Sequence, residues 1–73
     1  MVKDKVTRED LQKFAAGEQK VFTLPTFEKA KSATVQAYQA KNYRETYGWK
    51  FKAIIADPID GSLQRSVTIT RIA

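Results

Sequence analysis

The stretch AKNYRETYGWKFK, Ala40 to Lys52, sets four aromatic rings and four basic residues around a single acid, Glu45. Ammonium and guanidinium groups at Lys41, Arg44, Lys50 and Lys52 suit phosphate oxygens, and rings such as Tyr43, where exposed, suit stacking on unpaired bases. Two further cations, Arg65 and Arg71, flank the apolar alternation Val67 and Ile69 near the end of the chain. Three contact surfaces follow: the stretch itself, an open sheet face carrying Lys50, Lys52, Thr68 and Thr70, and a hairpin carrying Arg65 and Arg71. The same charges also suit a solvated surface, because basic side chains are exposed in most proteins.

Catalytic chemistry has much less to work with. The chain holds no cysteine and no histidine, which removes the usual zinc sites and any Cys-His or Ser-His nucleophile. Asp57 and Asp60 are the one close carboxylate pair in the second half, yet both stand before turn residues that their side chains cap well, and the spacing lacks the further oxygens of a calcium loop. Asp4, Glu9, Asp10, Glu18 and Glu28 fall near helix starts or in the ends, where capping and dipole roles await them. The expectation is a protein that is not an enzyme and needs no cofactor or metal.

These side chains need elements to hold them. At 73 residues the chain makes one domain, 1–73, with a small stability margin, since so short a chain buries only about 60% of the surface it exposes when unfolded. Thr7 reads as an N-cap, with Asp10 in the first turn and Val6 stapled against Leu11, so a short helix is expected from Arg8 to about Ala16, stopped by Gly17. Gln19 to Leu24 is rich in strand formers and Pro25 ends it. Thr26 offers a second N-cap. From Phe27 to about Tyr47, Phe27, Ala30, Ala33, Thr34, Ala37, Tyr38 and Ala40 share one side at 100° per residue, which predicts one long helix with an alanine seam.

Trp49 to Ala56 and Ser66 to Thr70 alternate as strands, and the Asp-Pro and Asp-Gly steps between them predict a hairpin turn over Asp57 to Ser62. The order is short helix, strand, long helix, hairpin. That suits an α+β domain with a three-stranded, mainly antiparallel sheet packed on the long helix. The expected core is Leu11, Phe14, Phe22, Leu24, Phe27, Ala30, Ala33, Ala37, Trp49, Phe51, Ile55, Val67 and Ile69, with Tyr47 entering beside Trp49 and Phe51.

The run Leu11-x5-Gly17-Glu18-x3-Phe22-x-Leu24-Pro25, followed by Ser32-Ala33 and the ending Val67-Thr68-Ile69-Thr70-Arg71-Ile72, resembles short bacterial phage and mobile-element proteins, some presumed to bind DNA. The motif concerns folding, so the resemblance transfers no site residue. The order of elements also looks like a reduced winged helix with Asp57 to Ser62 as the wing tip. It departs from that pattern because Phe27 to Tyr47 contains neither glycine nor proline to make a helix-turn-helix.

A net charge of +5 with a pI near 9.7 favours anionic partners. The longest apolar run, Ala53 to Ala56, is far short of the roughly 20 residues that span a bilayer, so no membrane partner is expected. The opening MVKDKVTRED has no apolar signal region, which points to a cytoplasmic protein. The functional expectation is a monomeric, non-enzymatic DNA- or RNA-binding accessory factor of a phage or mobile element. The alternative is a protein-interaction or inhibitor module meeting a host or phage protein through an aromatic patch or strand edge.

Overall fold

The computed structural model describes residues 2–58 and 61–73. Two α-helices and three strands run in the order α1 (Arg8–Gln12), β1 (Gln19–Leu24), α2 (Phe27–Gln39), β2 (Phe51–Ile55) and β3 (Arg65–Arg71). Both helix starts follow the capping logic of the sequence. The Thr7 hydroxyl accepts from Asp10 N–H at 3.3 Å while the Asp10 carboxylate accepts from Thr7 N–H at 2.8 Å, a reciprocal capping box. Thr26 Oγ1 accepts from Lys29 N–H at 3.2 Å.

The sheet is antiparallel throughout, in the order β1-β3-β2, so the last strand to be made lies in the middle. Register places Phe22 opposite Val67, and Val67 opposite Ile55, with Ile69 between Lys20 and Ala53. One sheet face is covered by α2 through its alanine seam: Ala30, Ala33, Ala37 and Ala40 are buried together with Val67 and Ile69. Small side chains let the helix axis come close to the strands, and the larger residues of β3 fill the remaining space. Phe14, beyond the end of α1, closes the core with an edge-on contact to Phe51 at 5.3 Å between ring centroids.

Four expectations need correction. Helix α1 ends at Gln12 rather than Ala16, because Ala15 N–H is taken by the Glu18 carboxylate at 2.8 Å and Gly17 N–H by Arg71 C=O at 2.9 Å, which extends the β1–β3 ladder instead. Helix α2 ends at Gln39 and continues only as a 3-10 turn, Ala40–Asn42; Tyr43 then turns extended (φ −90°, ψ 141°) before a second 3-10 turn, Arg44–Thr46. Phe27 is half exposed at the helix start, and Tyr47 is 79% exposed, so neither belongs to the core. Regular pairing in β2 begins at Phe51, not Trp49, and ends at Ile55. In the expected Asp57–Ser62 turn, Ile59 and Asp60 lie outside the described residues.

Within the α+β frame, Leu11, Phe14, Leu24, the three expected alanines, Phe51, Val67 and Ile69 are buried, while Phe22, Trp49 and Ile55 pack partly buried against them. Val6, Ala40 and Thr46 join the buried set as well.

Candidate nucleic-acid interface

The end of α2 is built by hydrogen bonds rather than by a helix breaker. Ala40 C=O accepts from Tyr43 N–H at 3.1 Å and from the hydroxyl of Thr46 at 2.6 Å, and Thr46 is fully buried. Those two donors replace the helical donor that a continued α2 would have supplied. Tyr43 reaches back with its hydroxyl to Gln36 and Gln39 at 3.1 and 3.2 Å, while the Arg8 guanidinium of α1 lies 4.0 Å from its ring centroid. Gly48, at φ +81°, then donates its N–H to Lys41 C=O at 3.2 Å, which folds the chain back so that Lys50 returns beside the 3-10 turn.

The result is a surface cleft of about 310 Å³ lined by Tyr38, Lys41, Lys50, Phe51 and Ile72. Lys41 comes from the 3-10 turn after α2, Lys50 and Phe51 from the entry and first residue of β2, and Ile72 from the residue after β3. Lys50 is fixed in place through its backbone: its N–H donates to Ala73 C=O at 3.1 Å and its C=O accepts from Ile72 N–H at 2.7 Å. Tyr38 is half exposed, and its hydroxyl donates to Ala53 C=O at 3.2 Å and accepts from Ala53 N–H at 3.4 Å. Both polar groups of one β2 edge residue are thus occupied by a side chain, and the ring is held in one position.

The basic residues divide into two sets. Lys41, Arg44, Lys50 and Lys52 are exposed, and among the described residues they take part in no ion pair; the pairs formed are Lys3–Asp10, Lys20–Glu18 and Lys29–Asp4. Lys52 stands opposite Thr70, which stands opposite Gln19, so it belongs to the open sheet face and not to the cleft. Arg65 and Arg71 are half-buried and committed to the chain itself. The Arg71 guanidinium lies 3.5 Å from the Trp49 ring centroid, donates to Phe14 C=O at 3.0 Å and, through Nε, to Ala73 C=O at 3.2 Å. Arg65 donates to the carbonyls of Ser62, Leu63 and Gln64.

The structure therefore brings Lys41 and Lys50 together, leaves Arg44 exposed on the neighbouring turn, and separates Lys52, Arg65 and Arg71 from them. It also adds Tyr38, which helical periodicity assigns to the inward side. Its position one residue past Ala37 swings it to the flank of the seam, above the β2 edge, where a long phenol can reach backbone that alanine cannot. The alternation of tyrosine with lysine at Tyr38 and Lys41, one helical turn apart, is the signal in the sequence that marks this flank.

Two carboxylates have lowered pKa values, and neither lines the cleft. Partial burial pushes the Asp10 carboxyl up, but the Thr7 N–H and hydroxyl and the Lys3 ammonium together hold it below the ordinary carboxylate value. The hydrogen bond and charge of Lys29 lower Asp4. Among the described residues no cluster of three or more acids could hold a metal ion, and no helix is long and apolar enough to cross a membrane. No protein-family model, curated protein or solved structure matches the chain.

Proposed function

We propose that this chain is a small nucleic-acid-binding protein that acts as a monomer without catalysing a reaction, and that its contact surface is the basic end of α2 with the start of β2. The observation that carries this reading is the cleft bracketed by Lys41 and Lys50, two cations with no acidic partner among the described residues, beside Arg44 on the adjoining turn. Unpaired cations clustered on one edge of a protein with net charge +5 attract phosphates at long range and gain from counterion release on contact. A role as an accessory factor of a phage or mobile element in a bacterial cytoplasm belongs to the same proposal and rests on the sequence resemblance alone.

Titration of labelled DNA and RNA, single-stranded and duplex, at several salt concentrations tests it. Saturable binding whose logarithm falls linearly with log salt is expected. Absence of binding at about 50 mM salt, where phosphate contacts are strong, would favour the alternative, a protein-interaction module. One observation speaks for that alternative: on the sheet face away from α2, Val21 and Ile54 are both more than half exposed and flank Thr68 in one cross-strand row.

A further inference from the structure

We infer that the cleft takes an unpaired nucleotide, so that the protein prefers single-stranded nucleic acid to duplex and reads it with little regard to sequence. The inference rests on the nucleic-acid reading above and adds the ligand's form. Its first support is Tyr38. A ring that is half exposed, lines the cleft and is anchored by two hydrogen bonds to Ala53 is a platform already set in its bound position, and stacking on such a ring loses little side-chain freedom.

The second support is the division of labour along the lining. Ile72, which is exposed, makes an apolar wall above the buried ring of Phe51, while Lys41 and Lys50 also line the cleft with no acid to neutralise them among the described residues. A base needs an apolar wall and a ring; the phosphates on either side of it need cations. A duplex offers neither face of its bases, only their edges in the grooves, and so cannot use the ring or the wall. The third support is what the cleft lacks. Tyr38 spends its hydroxyl on the β2 backbone, Phe51 and Ile72 carry no side-chain donor, and the two lysines are flexible point charges. Such a lining holds no planar, fixed set of donors and acceptors to match one base edge, so its discrimination between bases is weak.

The full chain is titrated, by fluorescence anisotropy at about 50 mM salt, with a labelled thymidylate strand, an abasic strand of equal length, a deoxycytidylate strand and a duplex of matching length. The expected order is thymidylate and deoxycytidylate alike, the abasic strand weaker by about 5-fold or more, reflecting loss of base stacking, and the duplex weaker than the thymidylate strand. Tyr38→Leu is expected to lower thymidylate affinity by about 5- to 150-fold and abasic affinity little, whereas Tyr38→Phe, which keeps the ring, retains most of the affinity. Equal affinity for thymidylate and abasic strands, or a duplex bound as tightly as the single strand, overturns the inference while leaving phosphate binding intact. The abasic comparison uses the unaltered chain, so it decides the matter even if Tyr38→Leu folds poorly. Binding to none of the four probes overturns this inference and the nucleic-acid reading together.

Discussion

Ala37 and Lys41 stand one helical turn apart on the same ridge of the chain, yet they live under different physics. Ala37 is 1% exposed, pressed between α2 and the sheet, where the permitted side chain is decided by the space between two backbones. Lys41 lies on the 3-10 turn past the last α-helical residue, exposed, at the rim of a cleft. In the seam, size is nearly everything. At the turn, shape is held by backbone and hydroxyl hydrogen bonds at Ala40, Thr46 and Gly48, and the side chains at its surface are left free to meet something else. The comparison teaches that the stable and the available parts of this small domain adjoin each other, with a single buried threonine between them.

The change expected to break this division most strongly is Ala37→Glu. It forces a carboxylate into the helix-to-sheet contact at a cost of several kcal/mol, on the order of the whole stability of so small a domain. Thermal unfolding followed by circular dichroism should show no cooperative transition, and an unchanged melting temperature would mean that the seam does not face the sheet.

Arg71→Ala is next. Arg71 shares the inward parity of Val67 and Ile69, packs on Trp49 and bonds the Phe14 carbonyl, so its loss should destabilise by about 2 kcal/mol through a charged hydrogen bond and a cation–π contact. Urea unfolding measures this. A stability unchanged within error would return Arg71 to the set of free cations.

Asp10 tests how far the turn depends on α1, since Arg8 of that helix lies over Tyr43. Its carboxyl is lowered in the folded state, so its contribution is fully present above the unfolded value of about 3.9 and is lost as pH falls through the folded value. Asp10→Asn should cost about 1 kcal/mol at neutral pH, in the range of a lost helix cap. The gap between the variant and the unaltered chain should then shrink below about pH 4 as the aspartate protonates. Denaturation curves at pH 7 and pH 3 that show the same gap at both would separate Asp10 from the capping role.

The smallest effect on stability belongs to the pair Lys41→Ala with Lys50→Ala, which should change it by no more than about 0.5 kcal/mol. Its effect on binding should be plain. Loss of two phosphate contacts should lower the slope of log affinity against log salt by about 1.4 to 1.8. An unaltered slope, with Lys52→Ala lowering it instead, would move the interface from the cleft to the sheet face.

Local chemistry written in the residues themselves settled much of this molecule. Thr7 and Thr26 cap as their hydroxyls require, Pro25 ends β1 because it cannot donate to a ladder, and the alternation at Val67 and Ile69 decides which side of β3 is buried. The alanine periodicity likewise announced a close helix-to-sheet contact and hence the α+β class. The end of α2 was beyond such reading. No glycine or proline marks Tyr43, and the helix stops there because a threonine three residues further on is buried and bonds Ala40 C=O, while Tyr43 is held by Gln36, Gln39 and Arg8. Each of those partners is brought by packing. The fate of the cations is of the same kind: Arg71 and Lys50 carry like charges and only tertiary contact makes one a clamp on Trp49 and leaves the other free beside the cleft. A charge states what a side chain can attract, and the fold decides whether the chain's own carbonyls and rings reach it first.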